Sequence, residues 1–322
     1  MTAPTFEDIV AAREFVRAYL PKTPLAPLPK LSKSLGLEYF AKCENLQPVG
    51  AFKVRGGVNL VGTADDEEKR AGMVSASTGN HGQSIAYAGR LFGVRVIIYA
   101  PAENVNQDKI QAMRDLGADV RLHGRDFDEA REEAERLARC EGLRYVHSAN
   151  EPKLIAGVGT IGLEVFDDLP NVDFIVAAVG GGSCAAGNCI VAKHLNPGVR
   201  VIGVQSEQAP AVYHAWRDKT LEPHPTMETR HEGLATRVPF DLTVGILWDL
   251  LDDFVLVGDD EIDDAIRLLA LHGKQVAEGA GAASLAAVVK LRGRLRGKKV
   301  VGILSGGNIP LDRLTAVLDR GR

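Results

Sequence analysis

The sequence predicts an α/β fold made of two open, mostly parallel sheet units. Three observations carry this. Short β-branched runs alternate with helical patterns between residues 72 and 140, and the alternation returns between Phe174 and Leu304. Glycines such as Gly93 and Gly117 stand where the helical patterns stop. This βαβα order with glycine-terminated helices implies parallel strands covered by helices on both faces.

The elements follow in chain order. Thr5, with Asp8 three residues on, reads as a capping box, and Phe6, Ile9, Val10, Val16 and Leu20 keep helical spacing to about Leu20. Pro21, Pro24, Pro27 and Pro29 imply an extended connector. Met73–Ser77, Val94–Ala100 and Val120–Leu122 read as strands, and Asn80–Phe92, Gln107–Leu116 and Phe127–Cys140 as helices. A second block has strands at Phe174–Val179, Val199–Gln205 and Val300–Leu304. Its helices are Ala185–Leu195, Asp260–Leu271 and Ala282–Leu291. The two blocks join near His147–Pro152.

The chain has 322 residues and a formal charge of −4, which gives no reason to expect nucleic acid or an anionic membrane as partner. The four cysteines, Cys43, Cys140, Cys184 and Cys189, form no C-x-x-C pair and read as reduced thiols. The N-terminus has no signal-peptide pattern, and no apolar stretch approaches the ~20 residues needed to span a bilayer. A cytoplasmic protein is expected.

Open parallel sheets bind ligands at the carboxyl ends of their strands, so the loops after Ser77, Val179 and Leu304 are the places to look for chemistry. Ser77-Thr78-Gly79-Asn80-His81-Gly82-Gln83 is either a capped turn, with Ser77 or Thr78 as N-cap, or an anion site for a carboxylate. Gly180-Gly181-Gly182-Ser183 lets backbone approach an anion at a helix start, and a phosphate is the natural occupant. Ser305-Gly306-Gly307-Asn308 presents a hydroxyl above a strand end. Gly180-x-Gly182-x-x-Ala185 also imitates a dinucleotide fingerprint, with Glu207 as its acid. That nicotinamide reading places the acid too far on and leaves the other loops without a task. Lys53 follows a Pro-x-Gly turn between Phe52 and Val54. It is either a solvated lysine or one whose pKa is lowered for Schiff-base chemistry.

Together the runs Glu44–Gly57 and Ser77–Gln83, the glycine loop 180–183 and Ser305–Asn308 resemble the serine/threonine dehydratases, in family order over nearly the whole chain. These are pyridoxal-phosphate enzymes of the second fold type, together with tryptophan synthase β, cysteine synthase and serine racemase. The resemblance implies a cofactor in the cleft between a large domain (1–65 and 150–322) and a small mobile domain carrying the substrate loop (66–149). Lys53 resembles the lysine that carries pyridoxal 5′-phosphate, with Phe52 beside the ring and Asn80 on the ring 3′-oxygen. Gly180, Gly181, Gly182 and Ser183 resemble the phosphate loop, with Ser183 departing from an all-glycine pattern. Ser305, next to Gly306, resembles the partner of the ring nitrogen, and Glu278 matches an acid near the cofactor. Ser77, Thr78, Gly79, Asn80 and His81 resemble the loop that closes on the substrate carboxylate.

The implied reaction is α,β-elimination from L-threonine, L-serine or a similar β-hydroxy amino acid to a 2-oxo acid and ammonia, with Lys53 moving the α-proton. Racemases of this family usually have serine where Thr78 stands, so Thr78 argues for elimination over racemisation. Family cations are held by a Glu and an Asp; here Glu207 is present but Tyr213 takes the Asp position, so no metal is expected. Glu232-Gly233-Leu234-Ala235 stands where the family often has Ala-Asp-Gly, which implies an altered substrate pocket, for instance for a less common hydroxy amino acid. The sequence ends fourteen residues after Asn308. No regulatory module of the biosynthetic kind and no feedback by isoleucine are therefore expected, and the resemblance itself implies a homo-dimer or homo-tetramer.

Overall fold

The computed structural model describes residues 1–103 and 106–320. Its strands, in chain order, are β1 (Leu25–Pro27), β2 (Glu38–Cys43), β3 (Met73–Ala76), β4 (Val96–Ala100), β5 (Asp119–Leu122), β6 (Arg144–Tyr145), β7 (Phe174–Ala178), β8 (Arg200–Ser206), β9 (Asp253–Val257) and β10 (Lys299–Leu304). Six of them form one sheet in the order β1-β2-β10-β7-β8-β9, and four form a second in the order β5-β4-β3-β6. All pairings are parallel except β1 with β2. Every residue of β3, β4 and β7 is buried, as expected of strands covered on both faces.

Helix starts and ends follow local chemistry. The first helix, Phe6–Val16, has the expected Thr5/Asp8 capping box but is shorter than its spacing implies. Beyond Val16 the chain tightens into turns, with Tyr19 and Leu20 both donating to the Val16 carbonyl, and this keeps Leu20 buried at the helical register. Helices Asn80–Phe92 and Phe127–Glu141 end on left-handed Gly93 (φ 68°) and Gly142 (φ 68°). The α-helix beginning at Asp259 ends at Leu268 and continues as one π-helical stretch, Leu269–Gly273.

The proline-rich segment is not a plain connector. It contains β1, a short antiparallel edge strand, where a proline costs no interior ladder bond. Pro29 then opens the helix Pro29–Leu35 from a first-turn position, where its missing N–H is not needed. Strands β2 and β9 and the helices Lys53–Gly62, Pro152–Asp168 and Asp241–Leu250 lack an obvious sequence signal. In Pro152–Asp168 the glycines that blur the pattern are contact points. A Cβ on Gly157 would lie 2.5 Å from the Arg55 carbonyl oxygen, and one on Gly187 would lie 2.8 Å from the Gly159 backbone. Backbone-to-backbone approach of helices requires glycine there.

Helix Lys53–Gly62 lies between the sheets. Its Val54, Val58 and Val61 share a core with Met73, Ile85, Val96 and Ile98 of the four-stranded unit, while Gly56 and Gly57 let Leu154 and Ser84 approach closely. The opposite side of the helix holds a buried charge network. Arg55 donates from Nε to Glu44 Oε2 (2.7 Å), from Nη2 to Glu44 Oε1 (2.8 Å), and from Nη1 and Nη2 to Glu164 (2.7 and 2.8 Å). Lys42 Nζ completes it, donating to Glu164 Oε2 at 2.5 Å and the Thr23 carbonyl at 2.7 Å. Burial lowers the pKa of Lys42 despite its carboxylate partners, whereas Arg55 and Lys42 together hold Glu164 below the usual carboxylate range against the opposing effect of burial. Two buried cations facing two carboxylates balance only as a set. Glu164→Gln should therefore destabilise the fold by about 3–5 kcal/mol, read as a shifted urea midpoint with an unchanged slope.

Candidate active site

In the six-stranded sheet, chain order proceeds from β7 outward through β8 and β9, while β10 inserts on the other side of β7. The loops after β7 and β10 thus diverge from a topological switch point, the position where open α/β sheets make a crevice. They are the loops of Gly180 and Ser305. The third loop, Ser77–Gln83, comes from β3 of the other sheet, and side chains bridge the gap. Asn80 Nδ2 donates to Glu278 Oε1 (2.6 Å), and Asn308 Nδ2 donates to Asn80 Oδ1 (2.8 Å) and the Val49 carbonyl (2.8 Å). The Asn80 amide is thereby oriented, with one N–H still free by valence. A cleft of ≈ 560 Å³ opens beside these residues, lined by Lys109, Glu232, Gly233, Glu278 and Asn308.

Lys53 opens its helix, with Phe52 as N-cap residue. Phe52 N–H donates to the Ser305 carbonyl (2.9 Å), Ala51 bridges Gly306, and Ser84 Oγ holds the Lys53 carbonyl (2.6 Å). The lysine backbone is thus pinned from both sheets. Its Nζ donates to the Ser148 carbonyl at 2.9 Å and lies 3.5 Å from Ser183 Oγ. Lys53 is half-buried as a residue, but protein surrounds its amine on most sides, and desolvation pushes it down to about 8. Of the two sequence readings of this residue, these surroundings favour the lysine of lowered pKa.

The glycine loop is a cradle in which side chains do not fit. A Cβ on Gly180 would lie 2.3 Å from the Gly233 carbonyl oxygen, and one on Gly181 would lie 2.8 Å from Ala149. Gly182, at φ +92°, caps the helix Ser183–Leu195, and Thr243 Oγ1 holds the Gly181 carbonyl (2.8 Å). The helix begins two residues earlier than its apolar pattern suggests, so Ser183 lies in the first turn, where unpaired N–H groups and the helix dipole favour an anion.

The Ser77 loop is capped by Ser77 itself, whose Oγ accepts from Gly79 N (3.1 Å) and Gly82 N (2.9 Å), although Gly79 is the N-cap residue of Asn80–Phe92. Thr78 and Gly79 stand partly exposed, while His81 is buried. Ser75 Oγ donates its one proton to the Val146 carbonyl (2.6 Å), so at 2.9 Å it accepts from His81 Nε2–H. Burial first, then the charge of Lys53, keeps His81 neutral by holding its pKa well below its ordinary value. The ring is thus engaged with β3, and His81 serves the footing of the loop rather than its open face. Glu278 is buried at the cleft, and desolvation raises its pKa. Gly306 is small of necessity, since a Cβ would lie 2.3 Å from Glu278 Oε1. Glu207, the acid of the dinucleotide reading, pairs with Lys290 (3.0 Å).

The sequence matches the family described as pyridoxal-phosphate dependent enzyme over residues 16–306. The chain belongs to that family. It is 41% identical over 317 residues to an L-threonine ammonia-lyase of Thermotoga maritima, covering 98% of this chain and 79% of that one. Its fold superposes on the processed form of threonine deaminase isoform 2 from Solanum lycopersicum with a TM-score of 0.92 at 31% identity, covering 98% and 89% of the two chains. Maize serine racemase gives 0.92 at 28% identity, covering 98% of both. Family membership makes the cofactor pyridoxal phosphate and decides against the nicotinamide reading. The residues fit that cofactor, because a glycine loop at a helix start offers backbone N–H groups to a phosphate and a weakly basic amine lies next to it.

Several residues of the site carry no sequence signal. Thr243 and Ser148 act through contacts between residues far apart in the chain. Lys109 of the small sheet unit pairs with Glu232 across the cleft mouth (2.5 Å). Because only the neutral amine attacks an aldehyde, cofactor capture by the apoprotein should rise with pH. It should level off above about 8, well below the 10.5 of an ordinary lysine, as followed by the visible absorbance of the bound cofactor. Lys53→Ala should capture none covalently. Gly180→Val should fold with a displaced loop and a weakened affinity for the cofactor, measurable by equilibrium dialysis.

Proposed function

We propose that this enzyme is a lyase that removes the β-hydroxyl and amino groups of L-threonine, and of L-serine or a similar hydroxy amino acid, to give a 2-oxo acid and ammonia. One observation carries the reading: a desolvated, weakly basic Lys53 amine held by the Ser148 carbonyl beside Ser183 of the glycine loop. The likeness to the Thermotoga ammonia-lyase and the tomato deaminase supports it.

When bound, pyridoxal phosphate supplies the aldehyde and the electron sink that acidify the α-C–H of an amino acid. Gly180, Gly181, Gly182 and Ser183 would hold its phosphate, Phe52 and Gly306 would border the ring, and Asn80 would face the ring oxygen. Ser305 is read as the ring-nitrogen partner; its neutral hydroxyl leaves that nitrogen without a held proton, which favours prompt loss of a β-substituent. The reading assigns the substrate carboxylate to the amides and hydroxyls of Ser77, Thr78 and Gly79, at the positive end of helix Asn80–Phe92. An amine with a pKa of about 8 takes the α-proton near neutral pH and, as its ammonium, gives a proton to the departing hydroxyl. The hydroxyl leaves as water, and hydrolysis of the unsaturated amine consumes one water and frees ammonia, so the balance is one amino acid to one 2-oxo acid and one ammonia. Residues 66–149 are taken as the smaller unit that carries the carboxylate loop, and 1–65 with 150–322 as the larger.

Racemisation is the competing outcome, and the likeness to serine racemase keeps it on the same scaffold. The methyl of Thr78 disfavours it by crowding the face where a second acid would work. Incubation with L-threonine and L-serine should release 2-oxo acid and ammonia in equal amounts with little D-isomer. Lys53→Ala should lower the rate by at least about a hundredfold. A D-amino acid as the main product would overturn the reading.

A further inference from the structure

The segment Val146–Glu151 crosses from β6 to the helix Pro152–Asp168 and touches both Lys53 and the glycine loop. Its start is tied to β3, with Val146 N donating to the Val74 carbonyl (2.8 Å) and Ser75 Oγ donating to the Val146 carbonyl (2.6 Å). Its end is tied by Glu151, which receives both Arg144 hydrogen bonds (2.9 and 2.8 Å). In between, the Ser148 carbonyl accepts from Lys53 Nζ (2.9 Å), and Ala149 lies against Gly181. This strap therefore links the lysine, the glycine cradle and the sheet that carries the carboxylate loop.

One side chain shapes the strap. His147 Nδ1 accepts from two backbone donors, Ala149 N (3.0 Å) and Asn150 N (2.9 Å). This is the pattern by which Asn or Asp caps a turn, with one acceptor satisfying the N–H groups two and three residues on. It leaves the intervening Ser148 carbonyl facing Lys53. The geometry also sets the tautomer: Nδ1 carries the lone pair and Nε2 the hydrogen. The ring packs edge-on to Phe240 at 4.7 Å and 84°, and Phe240 in turn flanks Gly181. A charged ring would lose both hydrogen bonds and repel the Lys53 ammonium. Burial and the Lys53 charge disfavour it, pushing His147 down to about 4.

We propose that His147 is a positioning residue for the active-site lysine, shaping the strap so that the Ser148 carbonyl holds the Lys53 amine beside the glycine cradle. The proposal rests on the reading of Lys53 as the cofactor lysine. It separates two properties of the ring, its acceptor and its shape. His147→Phe keeps the aromatic contact with Phe240 and removes the acceptor. His147→Asn removes the ring and restores an acceptor in turn-capping range.

The test uses the full-length protein stripped of cofactor and measures the rate at which it captures pyridoxal phosphate. After reloading, kcat and KM for L-threonine are measured, with Tm as a check on folding. His147→Phe should slow both capture and kcat by about tenfold to a hundredfold, with little change in KM. His147→Asn should restore both rates to near the wild-type level. Wild-type rates in His147→Phe would overturn the proposal. So would a folded His147→Asn as slow as His147→Phe, because the ring and not its acceptor would then matter. If His147→Phe does not fold, His147→Asn decides alone, its normal rates supporting the proposal and slow rates overturning it. Failure of the wild-type protein to capture the cofactor would instead overturn the reading of Lys53 itself.

Discussion

Arg55 lies two residues beyond Lys53, and its guanidinium is held by both Glu44 and Glu164. Glu44 follows β2, Glu164 belongs to the long helix Pro152–Asp168, and Lys42 and Thr23 close the remaining lone pairs. The helix that presents Lys53 is therefore fastened to the large sheet by charge on one side and packed by valines against the small unit on the other. A buried ion set of this kind need not add net stability over an apolar core. What it provides here is direction. The planar guanidinium accepts only a narrow range of carboxylate geometries, so it sets the register of its helix against two distant segments.

With the helix placed, the Lys53 amine is held from several sides. Ser84 and the Ser305 carbonyl pin the backbone at its start, while Ser148 and Ser183 face the amine. The same burial that fixes the amine makes its ammonium form costly, so position and basicity have one cause. A flexible, solvated lysine would have neither property. The glycine loop works by other means, since its glycines let Gly233, Ala149 and Thr243 pack against bare backbone and place Ser183 at a helix start.

The cleft is crossed by polar pairs rather than apolar packing. Asn80 meets Glu278 and Asn308, and Lys109 meets Glu232, each pair joining the four-stranded unit to the six-stranded one or to its loops. Water can replace such contacts at modest cost; behind the cleft, the valines of Lys53–Gly62 join the two units through a shared apolar core.

The sequence by itself determined the parallel α/β architecture, several of the helices and the loops that would carry chemistry. These depend on nearby residues: strand runs of β-branched side chains, glycine at helix ends, and hydroxyl, amide and glycine at helix starts. It also singled out Lys53, through its resemblance to a family. Only the tertiary structure decided the protonation and aim of these groups. Nothing near Lys53 in sequence specifies an amine of lowered pKa, because its desolvation and the Ser148 carbonyl come from segments remote in the chain. Likewise, His81 reads as part of a loop surface until β3 claims its ring, and the task of the glycines in Pro152–Asp168 shows only when Arg55 and Gly187 are seen against them. Local signals fix local backbone, but desolvation, charge pairing and close approach belong to pairs of residues that only the folded chain brings together.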